Sequence, residues 1–164
     1  MDSRSILEGV QNGSLSIEEA ERYFNRKAYE EMGYAKLDTY REIRSGFPEV
    51  VYCPNKPDAN LQAIYLRLLA EQGEVFGTRA TPAQAELVRQ VVPNIAYSPV
   101  AKTLKLEKPD KAHDGLVVVC TAGTADVPVA EEAAQTAEFF GAKVERCYDV
   151  GVSGLHRLLS KLDI

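Results

Sequence analysis

The sequence lacks three features, and each absence argues against a class of protein. It has no excess of basic charge, because 19 Lys and Arg stand against 24 Asp and Glu, a net charge of -5. This argues against a nucleic-acid binder that relies on a general basic field. No apolar run approaches the roughly 20 residues of a membrane span, and the first residues contain no apolar core of a secretory signal. We therefore expect a cytoplasmic protein without nucleic-acid or membrane partners.

Cysteine is scarce and unevenly placed. The three cysteines are Cys53, Cys120 and Cys147, an odd number in which no two are spaced like metal ligands or a CxxC redox pair. Each lies in or beside an apolar segment, where a free cysteine usually serves as a small core residue. No zinc, magnesium or iron–sulfur constellation is visible. We expect no metal site and no tightly bound cofactor, while a role for Mg²⁺ is left open.

The first hundred residues predict a small α/β domain that begins with a pair of helices. Capping boxes at residues 16–19 and 81–84 each mark the start of a helix. An apolar segment at 50–53, ended by proline, is typical of a strand. The charged residues 101–114, with a Lys-Pro-Asp break, predict a linker. We expect this N-terminal domain to occupy residues 1–100.

Residues 115–164 predict a second α/β domain with a different architecture. Residues 116–120 form a short apolar run, typical of a strand buried on both faces of a parallel sheet. A helix, a strand at 143–150 and a further helix from His156 follow. This β-α-β-α order is the first half of a doubly wound, Rossmann-like sheet. Two strands cannot cover both faces of such a sheet, so we expect the domain to be completed by something else, including assembly into a homo-oligomer.

The turn after the first of these strands is a candidate ligand site. Ligands of parallel α/β sheets collect at the carboxyl ends of the strands. Gly123 permits close backbone approach, Thr124 offers a hydroxyl, and a helix N-terminus presents N–H groups to an anion. Asp126 either caps that helix or accepts hydrogen bonds from sugar hydroxyls. It should stay ionised, which suits an acceptor better than an acid.

The turn after the second strand adds further candidates. It gathers Ser153, His156 and Arg157 where a phosphorylated ligand could be held. His156 can carry a proton near neutral pH, although a solvated or capping histidine is the simpler interpretation. Lys56 is a further phosphate candidate, and a solvated loop lysine is its alternative. Two such turns on adjacent strand ends favour a nucleotide or sugar-phosphate site over a structural coincidence.

Two blocks of sequence resemble a known family. GTADVPVAEEA followed by VERCYDVGVSGLHRLL resembles the catalytic domain of the LarB family of nickel-pincer cofactor biosynthesis, which is similar to aminoimidazole ribonucleotide carboxylase. Thr124, Asp126, His156 and Arg157 fall on positions that hold the ribose phosphate and reacting base in the purine enzymes. The Gly-Leu between Ser153 and His156 departs from the purine pattern. DTYREIRSGFPEVVYCPNK resembles the N-terminal signature of the LarB branch.

The resemblance implies carboxylation of the pyridinium ring of nicotinic acid adenine dinucleotide by carbon dioxide or bicarbonate, with hydrolysis that releases AMP. Asp126 and His156 would be the catalytic residues, while Gly123, Thr124, Ser153, Arg157 and Lys56 would bind the nucleotide. The family nucleophile is a cysteine further downstream, which none of the three cysteines matches, and the family's Gly-Lys-Thr turn is altered around Lys56. We therefore expect a shortened member whose own activity is open. A purine-type carboxylase and a non-catalytic nucleotide-binding or assembly module remain alternatives.

Overall fold

The computed structural model describes residues 3–24, 29–38, 41 and 45–161. The chain divides into two compact units, 1–49 and 50–164. The first unit contains two helices and a short antiparallel hairpin: α1 (Ser3–Gln11), α2 (Ile17–Phe24), β1 (Glu30–Glu31) and β2 (Lys36–Leu37). Residues 39–40 and 42–44 of the N-terminal signature lie outside the described residues.

The predicted capping box before α2 is confirmed. The Ser16 hydroxyl accepts a hydrogen bond from the Glu19 amide at 3.1 Å, and the Glu19 carboxylate accepts one from the Ser16 amide at 2.8 Å. Two N–H groups that the helix itself cannot satisfy are thereby paired. The local sequence alone is therefore enough to begin this helix.

The second unit opens with a four-stranded sheet flanked by two helices. Strand β3 is parallel to β4, while β6 and β5 continue the sheet in antiparallel pairing, in the order β3-β4-β6-β5. The elements are β3 (Val51–Tyr52), α3 (Asp58–Gln72), β4 (Val75–Thr78), α4 (Pro82–Arg89), β5 (Ala96–Ser98) and β6 (Thr103–Leu106). Helix α3 ends at Gly73, which adopts φ 72° and donates its N–H to Leu69 at 2.8 Å. The capping box at Thr81 and Gln84 is present as predicted.

A second, two-stranded parallel sheet completes this unit. Its elements are β7 (Asp114–Cys120), α5 (Val127–Phe139), β8 (Ala142–Cys147) and α6 (Leu155–Leu159). The α/β fold class is confirmed, and the order β-α-β-α is the one that the sequence predicts. None of the helices in the described part of the chain is long and apolar enough to cross a bilayer.

The structure corrects the prediction that β7 is buried on both faces. Leu116, Val117 and Val118 are 57%, 40% and 43% exposed, and Cys120 is also exposed. Among the described residues β7 pairs with β8 alone, and α5 packs against this pair. An apolar run is buried on both faces only when the sheet has neighbours to cover it. Cys120 is therefore no core residue, whereas Cys53 and Cys147 are buried as predicted.

The linker prediction is wrong for residues 103–106, which form strand β6. Thr103 and Leu104 are buried, while Lys105 places its charge in an ion pair with Glu107 at 2.7 Å. A strand that carries charged side chains at its surface keeps a charged composition and still joins a sheet. The proposed division into domains at residues 100 and 114 stays a prediction.

Candidate functional site

The first candidate turn lies between β7 and α5 and is closed by Asp126. Residues Thr124–Asp126 form one turn of 3-10 helix before α5 begins. The Asp126 carboxylate accepts a hydrogen bond from the Gly123 amide at 3.0 Å, and its side chain makes no capping hydrogen bond to α5. Asp126 thus caps the 3-10 turn at Gly123 and makes no such bond to α5 itself. Its carboxylate is exposed beside the turn, where it can accept further hydrogen bonds.

Three hydrogen bonds join the first turn to the second. The Asp149 amide donates to the Thr121 hydroxyl at 2.9 Å, and the Val150 amide donates to the Thr121 carbonyl at 2.9 Å. The Gly151 amide donates to the Ala122 carbonyl at 3.0 Å. Both turns are thus held at the carboxyl ends of adjacent parallel strands, where ligands of α/β sheets bind.

Gly151 is required by this close approach. A Cβ atom at position 151 would lie 2.5 Å from the Ala122 carbonyl oxygen and 3.2 Å from its carbonyl carbon. These are backbone atoms, which cannot move aside as the end of a flexible side chain can. The sequence showed Gly151 only as one of several turn glycines, and the contact that makes it necessary is with a residue 29 positions away in the chain.

Arg157 is paired rather than free. Its guanidinium contacts the Asp149 carboxylate at 2.7 Å, and the two side chains are 35% and 49% exposed. An exposed ion pair of this kind is weak, so an incoming phosphate can replace the carboxylate as the partner of Arg157. Asp149 has no signal of its own in the sequence, because a carboxylate eight residues before an arginine follows no recognised spacing.

The remaining candidates have different positions. Thr124 lies on the first turn, while Ser153 and His156 are exposed on the second. Lys56 lies in the connection between β3 and α3, and β3 belongs to the four-stranded sheet rather than to the β7–β8 sheet. The structure therefore brings together the candidates of the two turns and gives no evidence that Lys56 joins them.

A shallow cleft of about 430 Å³ adjoins the first turn. Its walls include Cys120, Thr121 and Ala122 from the end of β7, together with Asp126. Its apolar side is formed by residues of β7 and α5: Val119, Val129, Ala130 and Ala133. The cleft thus places one carboxylate beside small apolar side chains, a composition typical of small-molecule sites.

A cluster of ionic hydrogen bonds holds the end of β8 against α5. Arg146 contacts Glu131 at 2.9 Å, and also Glu138 at 2.6 Å, while the Tyr148 hydroxyl donates to Glu131 at 2.8 Å. Partial burial raises the pKa of Glu131, but hydrogen bonds from Arg146, Tyr148 and Gln135 outweigh it and leave the pKa below its usual range. Because Tyr148 directly precedes the second turn, this cluster fixes where that turn begins.

Comparison with known proteins identifies the part of the chain before these turns. A family model described as the LarB/PurE-like N-terminal domain matches residues 29–108. Residues 29–108 are therefore similar to the N-terminal domain of that family. The match reaches past β6, so β6 lies inside the LarB-like region, and the family resemblance read from the sequence is confirmed.

A curated relative matches nearly the whole chain. The chain is 35% identical over 167 aligned residues to Uncharacterized protein MJ0165 of Methanocaldococcus jannaschii. The similarity covers 97% of this chain and 65% of that relative. The chain therefore spans about two thirds of the length of the relative it matches.

Proposed function

We propose that the two turns form the nucleotide-binding part of a carboxylase-type enzyme of nickel-pincer cofactor biosynthesis. The observation that carries the proposal is the set of three hydrogen bonds between Thr121–Ala122 and Asp149–Gly151, because it holds two anion-compatible turns side by side. The LarB/PurE-like match over residues 29–108 supports the same family. The substrate we propose is nicotinic acid adenine dinucleotide.

Each turn has a distinct proposed role in binding this dinucleotide. Asp126 accepts hydrogen bonds from ribose hydroxyls, since its carboxylate is exposed and uses one oxygen for the Gly123 amide. Gly123 and Thr124 let a phosphate approach the backbone before α5. Arg157 exchanges its Asp149 partner for phosphate, and Ser153 supplies a hydroxyl from the same turn.

The proposed reaction adds carbon dioxide or bicarbonate to the pyridinium ring and hydrolyses the phosphoanhydride to release AMP. His156 is exposed at the start of α6, and we propose it as the residue that transfers a proton to or from the substrate. We propose no tightly bound cofactor. Activation of the ring needs a nucleophile, for which the family uses a cysteine, and we assign that role to none of the three cysteines of this chain.

We also propose that the chain acts as a homo-oligomer. Strand β7 exposes Leu116 and Val118 on one face of the sheet and Val117 on the other, and exposed apolar side chains on an open strand favour association. Sedimentation equilibrium of the chain is expected to show a species heavier than one 18.1 kDa chain. A single monomeric species at all concentrations would contradict this proposal.

Asp126→Asn is expected to weaken dinucleotide binding about tenfold or more while leaving the turn intact. The asparagine oxygen can still accept from the Gly123 amide, but the charge that strengthens hydrogen bonds to a ligand is lost. A loss of about 1.4 kcal/mol is a tenfold change in Kd. The measurement is calorimetric titration of the folded chain with nicotinic acid adenine dinucleotide.

Asp114→Asn is the matched control for this titration. Asp114 is the first residue of β7, at the end of the strand opposite the turn that holds Asp126. Its carboxylate also accepts a hydrogen bond from a nearby amide, that of Gly115 at 2.7 Å. Its replacement should leave binding unchanged. Equal effects of the two substitutions, or no binding by the folded unsubstituted chain, would contradict the proposed site.

A further inference from the structure

Two cysteines face each other at the entrance to both turns. Cys120 and Cys147 are the last residues of β7 and β8 and occupy the same position in the parallel register. Residues at the same register position of paired strands point to the same face of the sheet, so the two thiols are neighbours. Cys120 is exposed while Cys147 is buried. This pair therefore combines one thiol that a reagent can reach with a second thiol beside it.

We propose that Cys120 and Cys147 form a reversible disulfide that controls the geometry of the two turns. Neighbouring strands lie about 4.7–4.9 Å apart, inside the Cα separation of roughly 4.4–6.8 Å that disulfides span. The Cβ atoms of a disulfide lie about 3.5–4.5 Å apart, so the two strand ends must draw together. The bond would be exposed at Cys120, and exposed disulfides are among the labile ones.

The exchange balances with a small-molecule disulfide, such as oxidised glutathione, as the oxidant. The Cys120 thiolate attacks one sulfur of the reagent, forms a mixed disulfide and releases one small thiol. The Cys147 thiolate then attacks the Cys120 sulfur and releases the second small thiol. The two protein thiols lose two electrons and two protons, and the reagent is reduced to two thiols.

The strand ends are coupled directly to the candidate site. Thr121 follows Cys120, and its amide donates to the Cys147 carbonyl at 3.2 Å. Thr121 also accepts the hydrogen bonds of Asp149 and Val150 that join the turns. Cys120 itself lines the cleft that contains Asp126. Drawing the two sulfurs together therefore shifts both turns and removes a thiol from the cleft wall, whichever ligand the cleft binds.

The test is oxidation of the full chain with oxidised glutathione, followed by mass spectrometry of peptides under non-reducing conditions. Partial burial and the neighbouring Cys147 thiol raise the pKa of Cys120. The reaction is therefore run above about pH 8.5, the ordinary pKa of a thiol, to supply thiolate. We expect a peptide linked through Cys120 and Cys147, which disappears when excess reduced glutathione is added.

Single substitutions separate the two chemical steps. Cys147→Ser is expected to leave Cys120 as a stable mixed disulfide with glutathione, because no second thiol resolves it. Cys120→Ser should leave Cys147 unmodified, since it is buried. Cys53 is fully buried and serves as an internal control that stays reduced. A Cys120 that stays glutathionylated in the unsubstituted chain, or that joins two chains, would overturn the intramolecular disulfide.

Hydrogen exchange tests the structural consequence separately. Oxidation is expected to change the exchange rates of the Asp149, Val150 and Gly151 amides, the donors that join the turns. The same treatment of Cys120→Ser should leave these rates unchanged. A disulfide that forms without altering them would show that the bond does not control the turns.

Discussion

Gly151→Ala is expected to reduce dinucleotide binding more than tenfold. The added Cβ would lie 2.5 Å from the Ala122 carbonyl oxygen, so the second turn must move away from the first. That movement breaks the Gly151 hydrogen bond and disturbs those of Asp149 and Val150. At roughly 1 kcal/mol for each hydrogen bond, we expect a loss of about 1–3 kcal/mol in the free energy of unfolding. Calorimetric titration and urea unfolding measure the two effects.

Gly123→Ala is the matched control on the first turn. A Cβ at position 123 meets nothing within 4 Å, and its φ of -144° suits any residue. We expect a stability change within about 0.5 kcal/mol. Binding then reports whether the ligand itself approaches the backbone at Gly123. If Gly151→Ala bound the dinucleotide as tightly as the unsubstituted chain, the coupling of the turns would have no part in binding.

The elements that the sequence predicts best are those whose signals are local. The capping boxes at Ser16 and Thr81 satisfy helix N–H groups within four residues. The order of β7, α5 and β8 follows from an apolar run, a helical stripe and the glycine turns between them. Each of these signals acts within the segment that carries it, so no tertiary contact is needed to interpret it.

The features that the sequence misses depend on partners that are distant in the chain. Strand β6 has a charged composition, and its place in the sheet is set by pairing with β4 and β5. The exposure of β7 depends on how many strands surround it, which its own apolar run cannot reveal. The charged pattern of β6 and the apolar pattern of β7 are real features of the sequence. Whether each strand is buried depends on the elements that surround it.

The candidate site shows the same division. Gly123, Thr124 and Asp126 could be found because strand–turn–helix segments have a local pattern. Thr121 and Gly151 were missed as site residues because their importance comes from hydrogen bonds between two turns. Thr121 directly follows the apolar strand β7. Its buried hydroxyl indicates a role in the site only when its hydrogen-bond donor, the Asp149 amide, is known.

Phe139→Ala is expected to lower the free energy of unfolding by about 3–5 kcal/mol, the usual cost of removing a buried phenylalanine. Phe139 ends helix α5 and is 1% exposed. Its ring lies 4.8 Å from that of Phe76 in β4, and the Lys111 ammonium lies 4.1 Å from its centroid. Phe139 thus joins the helix that follows the first turn to the four-stranded sheet. Differential scanning calorimetry should show a fall in Tm of roughly 10 °C.

The form of the unfolding transition distinguishes two views of this region. A flexible linker at residues 101–114 would let the β7–β8 half melt separately, and Phe139→Ala would then leave the four-stranded sheet unaffected. We expect instead one transition for residues 50–164, because β6 is part of the sheet and Gln135 of α5 hydrogen-bonds to Thr103 and Ser98. Phe140→Ala is the control, since Phe140 is only half-buried and should cost less than half as much. Two separate transitions would instead support a flexible linker at residues 101–114. The candidate site would then belong to a part of the chain that folds independently of the LarB-like region.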